Sequence, residues 1–226
     1  MSADSDWSLP AFSALILDLD GLVIDSEPSY RAAWIAAGLE FSYPLRIELV
    51  EGFVGKSHDA IEQILVAEFG PDFPMAAFRE RAAKAWHEAV EASGIPVKPG
   101  LPKLLRTLSD LEIPFCLATN SERKYAEKCL GYAGLEQAFP IRITRDQVDS
   151  PKPSPDIFVA AAARLNAKPG DCIVLEDSET GIRAALSAQT QPILVGEPEI
   201  LPPSIRAQIL TALPSLGEFE RLLRRL

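Results

Sequence analysis

Four short, almost wholly apolar runs limit what this chain can fold into: Ser13–Leu19 (S-A-L-I-L-D-L), Pro114–Ala118 (P-F-C-L-A), Cys172–Leu175 (C-I-V-L) and Pro192–Val195 (P-I-L-V). Ile141–Thr144 forms a weaker fifth. Strands with one wet face alternate apolar and polar residues, whereas runs apolar at successive positions suit strands covered on both faces, as in parallel sheets. Between the runs lie helical patterns at Leu101–Leu111, Glu122–Ala133, Pro155–Leu165 and Gly181–Ala188. This alternation predicts an α/β fold, a Rossmann-like parallel sheet wrapped by helices and joined by right-handed crossovers.

The stretch 28–95 breaks the alternation. Trp34, Ile35 and Leu39, then Ile61, Ile64 and Leu65, then Phe78, Ala82, Ala85, Trp86 and Ala89 recur at helical spacing, without a convincing strand. Gly94-Ile-Pro-Val-Lys-Pro-Gly100 is rich in turn formers and marks the return to the first pattern. The expected organisation is an α/β core from 11–27 and 96–226, a small all-helical insert at 28–95 after the first strand, and a flexible N-terminal tail at 1–10. Trp34, Trp86 and the alanines Ala82, Ala83, Ala85 and Ala89 are expected in the core of the insert.

Charge narrows the partners. Lys and Arg total 22 against 32 Asp and Glu, a net charge of −10. Such a surface repels phosphate backbones and anionic lipid head groups, so neither nucleic acid nor membrane is expected as a partner. No apolar run approaches the ~18 residues of a membrane span, and residues 1–9 lack the basic and apolar regions of a signal peptide. Cys116, Cys129 and Cys172 have no metal-type spacing and read as buried free thiols in a reducing, cytoplasmic setting. With His58 and His87 as the only histidines, a multi-histidine metal site is excluded and a Ser-His-Asp triad nearly so. Carboxylates must carry any chemistry. No heptad or large apolar stripe marks an oligomer interface.

The strongest local feature is Asp18-Leu-Asp20-Gly-Leu-Val-Ile-Asp25-Ser-Glu27. Ligands of open α/β sheets bind beyond the carboxyl ends of strands, near the point where strand order reverses. Asp18 falls at such an end, and Asp20 follows in the turn that Gly21 allows. Two carboxylates this close repel unless a cation is shared or one holds a proton. Three further pieces should lie in the same crevice. Thr119 and Asn120 close the second core strand, where a hydroxyl and following amides suit phosphate oxygens, or where Thr119 simply caps a helix. Lys152 stands between Pro151 and Pro153 ahead of a helix. Glu176-Asp177 closes another strand with adjacent acids, in a binding site or a plain surface turn.

Strand-end Asp-x-Asp, strand-end Thr, isolated Lys and strand-end Glu-Asp, in this order, resemble the haloacid dehalogenase superfamily. The resemblance extends from about Ser13 to Leu226 and points to the phosphatase branch with an inserted helical cap, the beta-phosphoglucomutase and sugar-phosphatase group. It implies a magnesium-dependent phosphomonoester hydrolase acting on a small phosphorylated metabolite, a sugar phosphate or similar monoester. It also implies a mobile cap that closes over substrate. By that resemblance Asp18 is the nucleophile that forms an aspartyl-phosphate, and Asp20 is the general acid and base. Thr119, the Asn120 amide and Lys152 would hold the phosphate. Magnesium would be bound by Asp18, the carbonyl of Asp20 and Asp177, with Glu176 as a further ligand. Lys56, Ser57 and His58 match the cap loop that reaches the leaving group, although Ser57 equally suits an N-cap.

One position departs from the group. The mutases are expected to carry a histidine where this chain has Tyr30, which disfavours phosphomutase activity and favours hydrolysis. A mutase remains the alternative, since Arg46, Lys56, Arg79, Arg81 and Lys84 offer the cap cations that a bisphosphate needs. A remote alternative is a non-catalytic, receiver-like domain that takes phosphate onto Asp18. Receivers lack an acid at the Asp20 position and a helical insert.

Overall fold

A computed structural model describes residues 7–53 and 58–225, with His58 and Asp59 described by backbone alone. Two compact units form, one from residues up to Ile24 together with Val97 onward, the other from Asp25–Pro96. In the first unit the strands are β1 (Ala14–Leu17), β2 (Phe115–Ala118), β3 (Arg142–Ile143), β4 (Cys172–Glu176), β5 (Gln191–Val195) and β6 (Thr211–Leu213). The second unit holds helices α1 (Glu27–Glu40), α2 (Ile47–Glu51), α3 (His58–Phe69) and α4 (Met75–Ser93). The first continues with α5 (Leu101–Asp110), α6 (Arg123–Tyr132), α7 (Asp156–Arg164), α8 (Glu179–Ser187), α9 (Pro203–Arg206) and α10 (Leu216–Leu223).

The sheet order is β3-β2-β1-β4-β5-β6, with every neighbouring pair parallel. The chain runs outward through β2 and β3, then crosses back to place β4 on the other side of β1. Strand order therefore reverses between β1 and β4, which makes their carboxyl ends the natural binding crevice. All four residues of β1 and all five of β4 are buried, as continuous apolar runs require. Ala14 and Ile16 pack in one cluster with Cys116, Ala118 and Val174 from the neighbouring strands and with Ile157, Phe158, Ala161, Ala184 and Ala185 from α7 and α8. Small residues on both helices let them lie close to the sheet. Cys116, Cys129 and Cys172 are free and buried.

The helical unit has its own aromatic core. Phe53, Leu65, Phe73, Phe78 and Ala82 are buried together, with Trp34 and Tyr43 packed against them. Phe78, Ala82, Trp86 and Val90 form the buried face of α4, the i, i+4 row of a 3.6-residue helix. The expectation that Ala83 and Ala89 share that core is corrected: both are exposed, because they fall off this row. Among the described helices none is long and apolar enough to cross a membrane.

Candidate active site

The sharp turn after β1 sets the first two carboxylates. Val23 and Ile24 both donate their amides to the Leu19 carbonyl, at 2.9 and 3.0 Å, and Gly21 donates to Ile24 at 2.9 Å. Gly21 has φ +84°, and a Cβ built there would lie 2.0 Å from Asp177 Oδ2. Glycine is thus required twice, by the left-handed backbone and by the carboxylate pressed against it. Asp18 continues the sheet by donating its amide to Leu175 at 3.2 Å, and it is buried at the mouth of the β1–β4 junction.

Lys152 arrives from a loop that its own sequence stiffens. Pro151, Pro153 and Pro155 each lock φ, and the Lys152–Pro153 peptide is cis. Asp156, at the start of α7, accepts from Ser150 N at 3.0 Å and Ser154 Oγ at 2.7 Å. Asn120 then clamps the lysine backbone, accepting from Lys152 N at 2.8 Å and donating to its carbonyl at 3.2 Å. The ammonium donates to Asp18 Oδ1 at 2.5 Å, Glu176 Oε1 at 2.6 Å and the Ala118 carbonyl at 2.9 Å, with the Phe158 ring 4.8 Å away. Lys152 is 6% exposed, so its three donors are spent inside the protein.

Glu176 is fully engaged. Besides Lys152, it accepts from Asp177 N, Ser178 N and Ser178 Oγ at 3.1, 3.2 and 2.9 Å. Ser178 caps α8 by accepting from Gly181 N at 3.0 Å. A Cβ on Gly181 would lie 1.8 Å from the Glu176 carboxyl carbon, so a bare backbone makes the room for this buried acid. Thr119 is buried and accepts from Ser121 N at 3.0 Å. It does not cap α6, which begins at Arg123 with Glu122 in the cap position.

Asp18, Glu176 and Asp177 each offer one oxygen, all within 4.8 Å of one another. Burial pushes the Asp18 carboxyl up to about 7, against the pull of Lys152 and with the repulsion of Glu176 and Asp20. Burial, then Glu176 and Asp18, push Asp177 well above its ordinary range. Burial alone would lower the Lys152 amine, but Asp18 and Glu176 outweigh it and hold the ammonium above its usual range. One ammonium does not balance three carboxylates. The hard oxygens left over suit a divalent cation such as magnesium.

The core thus brings together Asp18, Asp20, Thr119, Asn120, Lys152, Glu176 and Asp177. The remaining expected residues are elsewhere in the chain: Lys56 and Ser57 lie outside the described residues, and His58 opens α3 with its side chain undescribed. Two residues were not singled out from the sequence. Ser121 Oγ donates to Asp20 Oδ2 at 3.0 Å, and Tyr125 Oη donates to Asp20 Oδ1 at 3.1 Å. The available signal was the helical spacing of Tyr125 and the buried Cys129, which puts both on one face of α6.

Comparison with known proteins gives the family. The chain is 31% identical over 183 residues to a fructose-1-phosphate phosphatase of Escherichia coli K12, covering 78% of this chain and 93% of that protein. It is 31% identical over 193 residues to a Drosophila melanogaster protein named as a probable pseudouridine-5'-phosphatase, covering 82% of each. Among solved structures, a haloacid dehalogenase family hydrolase from Deinococcus radiodurans R1, with bound phosphate and sodium, superposes with a TM-score of 0.78 at 27% identity, covering 95% of this chain and 96% of that one. The haloacid dehalogenase-like hydrolase family matches residues 12–189. The three strand-end motifs and the loop lysine converge on one crevice within that matched span, and the chain belongs to the haloacid dehalogenase-like hydrolases.

Proposed function

We propose that this hydrolase is a magnesium-dependent phosphomonoesterase that works through an aspartyl-phosphate on a small phosphorylated metabolite, a sugar phosphate or nucleotide-derived monoester. The observation that carries this reading is the buried Lys152 ammonium joining Asp18 to Glu176 at the carboxyl ends of β1 and β4. A cation beside a carboxylate nucleophile offsets its repulsion from a phosphate dianion and stabilises charge on the transferring phosphoryl oxygens. Magnesium would be held by Asp18, Asp177 and the carbonyl of Asp20, and when bound it supplies further neutralisation of phosphate charge. Glu176 is better suited to fixing Lys152 than to binding metal, because its oxygens already accept from Lys152 and its own loop.

Asp18 Oδ attacks phosphorus, the bond to the leaving oxygen breaks, and Asp20 protonates that oxygen. Asp20, then ionised, takes a proton from the water that hydrolyses the aspartyl-phosphate. The Thr119 hydroxyl and the Asn120 amide are the proposed remaining phosphate contacts, the Asn120 side chain being occupied with Lys152. The helical unit is the proposed cap. Tyr30, in the position where a mutase needs histidine, stacks on Trp86 with ring centroids 5.0 Å apart and planes at 11°, which supports hydrolysis over mutase chemistry. The buried thiols accord with a reducing, cytoplasmic setting.

The test is phosphate release from a panel of sugar phosphates, nucleotides and phosphorylated acids, with magnesium and with EDTA. Magnesium-dependent release that vanishes in Asp18→Asn is expected. Isomerisation of a hexose 1-phosphate without release would instead establish the mutase, and a phosphorylated Asp18 with no turnover would establish the receiver.

A further inference from the structure

Asp20 is gripped at both oxygens. Tyr125 Oη donates to Oδ1 at 3.1 Å and Ser121 Oγ donates to Oδ2 at 3.0 Å. One hydrogen bond leaves a carboxyl group free to swing about its terminal torsion, which is broad and roughly two-fold. Two donors on different oxygens set the plane of the group. The donors also come from separate supports. Ser121 belongs to the loop after β2, where its amide donates to Thr119 Oγ1 at 3.0 Å and its carbonyl accepts from Arg145 N at 3.0 Å. Tyr125 lies in the first turn of α6, half-buried beside the fully buried Cys129. Both donors are neutral hydroxyls, so they orient Asp20 without adding charge next to Asp18.

We infer that Tyr125 and Ser121 are positioning residues that aim Asp20 at the leaving oxygen, so that the aim of the acid is built into the α/β core. This rests on the proposed role of Asp20 as general acid. When Asp18 Oδ bonds to phosphorus and the phosphorus–oxygen bond breaks, the electron pair stays on the leaving oxygen, which takes the Asp20 proton. A sugar alkoxide is a strong base and needs that proton, whereas p-nitrophenolate leaves largely without it. Misaiming Asp20 therefore penalises sugar phosphates more than p-nitrophenyl phosphate. Loss of fold or of phosphate binding penalises both alike.

The experiment measures kcat/KM for p-nitrophenyl phosphate and for the best sugar phosphate of the panel, in wild type, Asp20→Asn, Tyr125→Phe, Ser121→Ala and Ser121→Thr. The ratio of sugar phosphate to p-nitrophenyl phosphate is expected to fall about 100-fold in Asp20→Asn and about tenfold in Tyr125→Phe and Ser121→Ala. Ser121→Thr, which keeps the hydroxyl, should restore most of it. If Asp20→Asn lowers the ratio while Tyr125→Phe and Ser121→Ala leave it within twofold of wild type, the positioning role is overturned and the acid role stands. If Asp20→Asn leaves the ratio unchanged, the acid role falls and the positioning role with it. Should Tyr125→Phe fail to fold, the loop variant Ser121→Ala decides the question alone.

Discussion

At Lys152 one ammonium joins the proposed nucleophile, a buried acid and a strand end, donating to Asp18, Glu176 and the Ala118 carbonyl. Replacing it by methionine keeps the volume but strips the buried cation from among three carboxylates. Lys152→Met is expected to lower kcat about 10³-fold, the scale of losing a preorganised charge at a transition state, in the phosphate-release assay. Gly21 is a second residue of the crevice whose bare backbone the site uses. Its φ of +84° and the 2.0 Å approach of Asp177 Oδ2 to the Cβ position both oppose a methyl group. Gly21→Ala is expected to cost about 1–2 kcal/mol. By pushing Asp177 aside it should also raise the magnesium concentration for half-maximal activity about tenfold. Unchanged magnesium titrations would remove Asp177 from the proposed metal shell.

Elements carry the site on their ends, and two of their contacts can be tested without touching the chemistry directly. Gly181 sits in the first turn of α8, where alanine is ordinarily the better helix former by about 1 kcal/mol. Here a Cβ would lie 1.8 Å from the Glu176 carboxyl carbon. Displacing a buried acid costs about 2–3 kcal/mol, so the clash wins and Gly181→Ala is expected to lower Tm despite its helix propensity. A second contact ties α10 to α5. Glu220, with its side chain 1% exposed, accepts from Thr107 Oγ1 at 2.8 Å, pairs with Lys103 at 2.9 Å and takes Arg224 from its own helix. Lys103 and Arg224 stay solvated when this carboxylate is removed, so Glu220→Ala is expected to cost about 1–2 kcal/mol in chemical denaturation, chiefly through the buried Thr107 hydroxyl and the lost charge-assisted hydrogen bonds. The activity per folded molecule should change little, because no site residue lies on either helix.

For the whole molecule, the buried acids make stability depend on pH. Asp18 titrates near 7 in the folded protein against an ordinary 3.8, mainly because it is buried. Between those values the folded chain holds a proton that the unfolded chain has released, so without metal this group's contribution to stability falls as pH rises from about 4 to 7. The slope is greatest midway between the two values, about 1.4 kcal/mol per pH unit, and fades as pH passes 7. In EDTA, the Tm of wild type relative to Asp18→Asn is expected to rise by about 1–3 °C when pH is lowered from 7.5 to 6.5. Magnesium competes with that proton and should flatten the difference. A difference independent of pH and magnesium would mean that Asp18 is ionised in the folded protein without help. The strands of this molecule were legible because continuous apolar runs announce burial on both faces, and Asp18, Lys152 and Glu176 were legible because they stand at strand and loop ends. The edge strand β6 was not, since Thr211, Ala212 and Leu213 are only partly buried and too short to show a period. Nor was the grip on Asp20, whose donors lie 101 and 105 residues away along the chain. Local sequence encodes burial and helical or strand period, so it determined the alternating α/β layout and the acids that line its crevice. Which hydroxyl meets which carboxylate depends on how helices seat on the sheet, and only packing across the whole core decides that direction.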